Sequence, residues 1–182
     1  MRIYTKAFCL GFAALLALGC GSQAPTIDIW TAAAAGNTAE LQKHIAAGTD
    51  LNQKEPAGGG TPLIAASALG QTEAARLLIN NGAELEIKNN DGSTALMTAV
   101  FFCYPEIVKL LLENGAEVNT TNNAGSTPMD VVGGEWSQEL EGIYKMVAGI
   151  LKMDLDLERI KKVRSSVAEI LKKHGGKTSK EL

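Results

Sequence analysis

Between Gly59 and Asn119 two kinds of apolar pattern alternate along the chain at a fixed step. The segments "GGTPLIAASALGQTEAARLLINNGAELE" (59–86) and "GSTALMTAVFFCYPEIVKLLLENGAEVN" (92–119) superpose with a shift of 33 residues: Thr61 falls on Thr94, Leu63 on Leu96, Ala66 on Ala99, Leu77-Leu78 on Leu110-Leu111 and Gly82-Ala83 on Gly115-Ala116. In each, the small residues after the threonine (Ala65 and Ala66, Thr98 and Ala99) predict a short helix that lies close to its neighbours. The leucine-rich run that follows predicts a second, antiparallel helix with one apolar face. Glycine at 82 or 115 suits a left-handed cap at the end of that helix. "ELEIKNNDG" and "EVNTTNNAG" then run out as extended residues into Asn/Asp/Gly turns.

The same step places Thr127 of "GSTPM" under Thr94. An upstream copy, "DIWTAAAAGNTAELQKHIAAGTDLN", has one extra residue in its connection and sets Ile29 on Leu63, Ala32 on Ala66, Gly36 on Gly70 and Gly48 on Gly82. There Lys43 and His44 replace Leu77 and Leu78, the polar outer face expected of a terminal repeat. Threonine before Pro62 and Pro128 predicts a capped helix start, since proline's missing N–H has no partner at the first position anyway. One unit cannot bury its own apolar face, so stacking makes the core.

These residues resemble the ankyrin-repeat pattern G-x-T-P-L-H-x-A-A-x-x-G-x-x-E-I-V-x-L-L-L-x-x-G-A-x-V-N, closely in 59–86 and 92–119 and less so in the outer copies. The chain departs from it at Ile64 and Met97, where the pattern has histidine, and at Cys103, where it has glycine between the helices. The resemblance implies a mainly α ankyrin solenoid over residues 27–133, with units at 27–56, 57–89 and 90–122 and the start of a fourth at 123–133. From Trp136 the period fails. "SQELEGIYKMVAGILKM" groups Leu140, Ile143, Val147, Ile150 and Leu151 on one helical face, and "LERIKKVRSSVAEILKKHG" groups Ile160, Val163, Val167, Ile170 and Leu171. Residues 134–174 are therefore a helical extension or cap, followed by a tail at 175–182. Two arrangements stay open: the first helix is an insertion and the second completes repeat four, or the first completes it and the second is added.

The N-terminus has a different pattern. Arg2 and Lys6 precede an apolar run from Ala7 to Leu18 and a small residue before Cys20, the layout of a secretion signal. "LALGC" resembles the bacterial lipobox, which implies removal of residues 1–19, lipidation of Cys20, a tether at 20–26 and an outer-membrane anchor facing the periplasm. The apolar run is short of the roughly 20 residues of a spanning helix.

Charge narrows the partner class. Residues 20–157 hold 7 basic and 17 acidic side chains, and residues 158–182 hold 8 and 3, so a basic helix and tail close an acidic array. That balance does not suit a nucleic-acid binder. No metal, cofactor or catalytic constellation is expected: His44 and His174 lie on separate helices and are read as exposed surface, "PAGGGTP" lacks the Lys-Ser/Thr of a phosphate loop, and no serine sits in a GxSxG elbow. Cys103 is read as an inert thiol between two helices.

In the ankyrin pattern the hairpin tips and the last residues of the first helix converge on a concave groove. The resemblance thus implies a partner site made of Leu69, Asn90, Asp91, Ser93, Phe101, Phe102, Asn123, Ser126 and Trp136, with Phe101 as its aromatic anchor. The alternative for Phe101 and Phe102 is packing against the C-terminal helices. The expected function is a monomeric, non-catalytic scaffold that binds a protein through this groove. Inhibition of an envelope toxin or hydrolase is the alternative within binding functions. An enzyme with its site on the C-terminal extension is the alternative of another class, and no cluster of polar residues around Trp136 supports it.

Overall fold

The structure, a computed structural model, describes residues 24–152 and 154–182; the signal-like segment, Cys20 and the start of the tether lie outside them. Among the described residues every regular element is a helix: α1 (Ile29–Ala34), α2 (Thr38–Ala46), α3 (Pro62–Ala68), α4 (Thr72–Asn80), α5 (Ala95–Phe101), α6 (Pro105–Glu113), α7 (Pro128–Gly133), α8 (Gln138–Leu151) and α9 (Leu157–Lys173). Helices α1, α3, α5 and α7 pack in succession as an inner layer, and α2, α4, α6 and α9 as an outer one. This is the mainly α solenoid that the 33-residue step predicts. Helix α8 belongs to neither layer.

Each inner helix starts on a side-chain cap. Asp28, Thr61, Thr94 and Thr127 accept from the N–H three residues on, and Thr127 and Asp130 cap each other reciprocally. After each of the first three inner helices the chain turns through a left-handed residue: Gly36 (φ 66°), Gly70 (φ 69°) and Cys103 (φ 53°). At Gly70 space forbids a side chain as well, because a Cβ would stand 2.5 Å from the Tyr104 ring of the next unit. Between the layers, Leu63, Leu78, Leu96, Ile107, Leu111 and Leu171 are fully buried.

His44 is buried rather than exposed. Its Nε2 lies 2.8 Å from the Ile27 carbonyl and its Nδ1 lies 3.1 Å from the Thr49 hydroxyl, so Nε2 carries a proton and donates to Ile27. The ring replaces a core leucine at the end of the stack and spends its polar atoms on the two loops that close it. His174 is exposed.

A recurring bond settles the arrangement of the C-terminal helices. Asn52 accepts from the Glu84 N–H, Glu86 from the Glu117 N–H and Asn119 from the Lys177 N–H, at 2.9, 2.9 and 2.8 Å. The first step along the chain is 33 residues and the second is 60. Likewise Ala83, Ala116 and Gly176 donate back to Leu78, Leu111 and Leu171. Helix α9 therefore stands as the outer helix of the fourth unit, and the connection before it carries 27 extra residues that include α8. The tail seals the last unit: Thr127 donates to the Lys177 carbonyl and Asp130 accepts from the Ser179 N–H.

The buried face of α8 differs from the one its apolar pattern suggests. Leu140 and Tyr144 pack on the repeats and the half-buried Val147 borders the cleft, whereas Ile143 and Ile150 are 45% and 70% exposed; the Leu151 side chain lies outside the description. Tyr144, absent from the apolar tally, is fully buried because its hydroxyl finds a partner there.

Candidate functional site

Hairpin tips form one wall of the concave side. Asn89 accepts from the N–H groups of Asp91 and Ser93, and Asn122 from those of Ala124 and Ser126, so each asparagine folds its own turn. Glu55 does the same in the first tip by accepting from Ala57 and Gly58. Neighbouring tips are then tied together: Asn90 donates to Gly58 and Ala57 carbonyls, and Asn123 to those of Asp91 and Asn90. Gly59 and Gly92 have no room for a Cβ beside Asn90 and Asn123.

The floor comes from the inner helices, and α8 supplies a second wall. Together they enclose a cleft of about 590 Å³. Ile64, Ala65, Ala68, Met97 and Phe101 pave it, Glu55, Asp91 and Ser93 edge it on the hairpin side, and Val147 and Ile150 edge it on the other. Where the ankyrin pattern has histidine, Ile64 and Met97 make the floor apolar.

Phe101 is not a free anchor. Its ring lies 4.7 Å from that of Tyr144 and 5.0 Å from that of Phe102, and Trp136 stacks on the far side of Tyr144 at 5.6 Å. Phe102 is 5% exposed, an edge of the core more than a surface. The sequence alternative, packing against the C-terminal helices, describes the Phe101 ring, whereas the Phe102 ring packs edge-on against Phe101; both still border the cleft. Of the other expected site residues, Asp91 and Ser93 line the cleft. Leu69, Asn90, Asn123, Ser126 and Trp136 lie outside its lining.

Two arginines of α9 fix the geometry beneath. The last carbonyls of a helix have no helical N–H to accept from. Arg159 donates to the carbonyls of Cys103 (2.7 Å) and Phe102 (2.9 Å) at the end of α5, with its guanidinium 4.6 Å over the Tyr104 ring. Arg164, buried, donates to Val131 (2.7 Å) and Gly134 (3.5 Å) at the end of α7 and to the Tyr144 hydroxyl (3.4 Å). Burial pushes the Tyr144 phenol up to about 12, so it remains a donor at neutral pH, and burial also raises the Cys103 thiol. Tyr144, Arg159 and Arg164 act across repeats, which no local pattern in the sequence reports; Asp91, Ser93, Phe101 and Phe102 are the expected site residues that line the cleft.

Among the described residues no His/Cys/Asp/Glu cluster could hold a metal ion, and no helix is long and apolar enough to cross a membrane. What the geometry defines is a helix-pair solenoid with an apolar concave cleft. A family model described as ankyrin repeats, in three copies, matches residues 29–122, and the chain belongs to that family. An ankyrin repeat-containing protein of Schizosaccharomyces pombe is 33% identical over 69 residues, 38% of this chain. The chain spans about a third of the length of that relative. Ankyrin repeats generally mediate protein–protein interaction, and proteins built from them are typically non-enzymatic scaffolds.

Proposed function

We propose that this protein is a non-catalytic, monomeric scaffold, held in a bacterial envelope by a lipid on Cys20, that binds a protein partner in the cleft between its hairpin tips and α8. The observation that carries the reading is the cleft itself. It is an apolar floor with open access and a polar rim, on the face where tips from successive repeats are held in register by their asparagines. Its walls are prepared before binding, which lowers the ordering cost of association. A lipid-anchored array would also sit close to its membrane. Thr26 is tied to the Glu40 carboxylate through its N–H and hydroxyl, so only residues 21–25 separate Cys20 from the folded array, a reach of roughly 20 Å at full extension.

Capture from solubilised membranes tests the groove, with the wild-type chain and an Ala68→Arg variant as baits. Ala68 lines the cleft floor, and an arginine there fills it. A partner retained by wild type and lost from a variant that still melts cooperatively is the expected result. Equal retention by both baits removes the groove from the proposal.

A further inference from the structure

We infer that the cleft takes a cationic amphipathic helix of its protein partner, and that the inserted helix α8 is one of the two walls that grip it; this deepens the groove-binding reading above and rests on it. Three features of the cleft carry the inference.

The first is charge. The side chains lining the cleft include the carboxylates of Glu55 and Asp91 and no lysine or arginine. Glu55 folds its own turn, but the exposed Asp91 carboxylate has no partner among the described residues. The nearby lysines of the hairpin segments keep their charge but hold their ammonium groups outside the cleft lining, Lys54 on the Lys88 carbonyl and Lys88 on the Thr121 carbonyl. On α8, Lys145 is paired with Glu141 at 2.6 Å. Arg159 and Arg164 lie beneath the floor on carbonyl partners, but the charged groups that line the cleft itself are the carboxylates of Glu55 and Asp91, so its rim favours a basic ligand over an acidic one.

The second is the absence of a place for a strand. One mode of extended-peptide binding adds a strand to a free sheet edge. The described residues contain no strand, and the backbone N–H groups of Asn90 and Asn123 at the tips are already donated to Gly58 and Asp91. Recognition therefore falls to side chains seated on the partly exposed Ala65, Ala68 and Phe101, with the buried Ile64 and Met97 beneath them, the way a helix lays its apolar face into a groove.

The third is α8. Its Ile150 borders the cleft and is 70% exposed, and Met146, one turn back, is 59% exposed. A helix seated between the tips and α8 would cover Ile150 while its basic side meets Asp91.

The test uses the full-length chain in mild detergent and fluorescence anisotropy of short labelled helical peptides made of leucine and lysine, or of leucine and glutamate. Asp91→Lys and Ile150→Ser, both at exposed side chains, are the variants, with cooperative melting checked for each. The leucine–lysine peptide is expected to bind wild type, to weaken with salt, and to lose about tenfold or more in either variant, while the leucine–glutamate peptide does not bind. Equal binding of both peptides, or lysine-peptide binding indifferent to both variants, overturns the inference. If neither peptide binds but the captured partner is still lost from Ala68→Arg, the groove reading stands and the cationic-helix occupant is wrong. Self-association in sedimentation that Ile150→Ser abolishes would assign the cleft to a second copy and overturn it also.

Discussion

The Tyr144 hydroxyl donates to the carbonyl of Phe101 over 2.7 Å while the two rings lie 4.7 Å apart, so one residue of the inserted helix both caps α5 and covers the phenylalanine on its last turn. Arg164 backs the phenol from the other side.

Tyr144→Phe keeps the ring and removes the donor, leaving the Phe101 carbonyl without that bond. A loss of about 1–3 kcal/mol is expected in urea unfolding at neutral pH. The phenol also gives an alkaline signature: its pKa is raised from 10.0 to about 12 by burial, so its contribution is present below pH 10 and is lost as pH rises through 12. The stability difference between wild type and Tyr144→Phe should shrink over that window, and a constant difference would assign the shift to other groups.

Leu111 is fully buried between the layers of an internal unit. Leu111→Ala should cost about 2–5 kcal/mol through lost burial and a cavity. A melt unshifted by the change would mean that the repeats do not pack through this residue.

Ser67 carries a buried hydroxyl with no hydrogen-bond partner among the described residues. An unpaired buried oxygen has given up water for nothing, so Ser67→Ala is expected to leave stability unchanged or raise it by about 1 kcal/mol. A clear fall in melting temperature would reveal a bond that the hydroxyl makes.

Acid should loosen the N-terminal seal. Bonds from Lys43 and from the Thr26 N–H hold the Glu40 carboxylate at about 2, below its ordinary 4.5. A depressed carboxylate contributes stability that is present above the unfolded value and is lost as pH falls from about 4.5 toward 2. Melting curves across that range should converge for wild type and Glu40→Gln; parallel curves would count against the Thr26–Glu40–Lys43 link.

Lipidation is tested at Cys20. Cys20→Ala should abolish incorporation of a palmitate analogue and release the chain from the membrane fraction. Unchanged label and fractionation would end the envelope-anchor proposal.

Local chemistry made the solenoid legible. Thr61, Thr94 and Thr127 cap the helices they precede, Gly36 and Gly70 take left-handed turns, and the leucines one step apart meet in the core, because each of these roles depends on a residue's own backbone and on neighbours at a fixed offset. Cys103 is the instructive departure. It adopts a glycine's conformation although its side chain disfavours it, and the Arg159 guanidinium that holds its carbonyl comes from 56 residues away. No spacing rule reports a bond of that kind.

The sequence by itself determined the repeat period, the helix pairs, the turn chemistry and the acidic character of the array, all of which follow from periodicity and composition. Only the tertiary structure decided that α9 completes the fourth unit, that α8 lies across the end of α5 and that Phe101 is covered by Tyr144 instead of standing clear as an anchor. An apolar helix pattern says that a face will be buried and not against what. Here Leu140 and Val147 fitted more than one rotation of α8, and the choice fell to a phenol that could satisfy a carbonyl and a guanidinium belonging to two other helices.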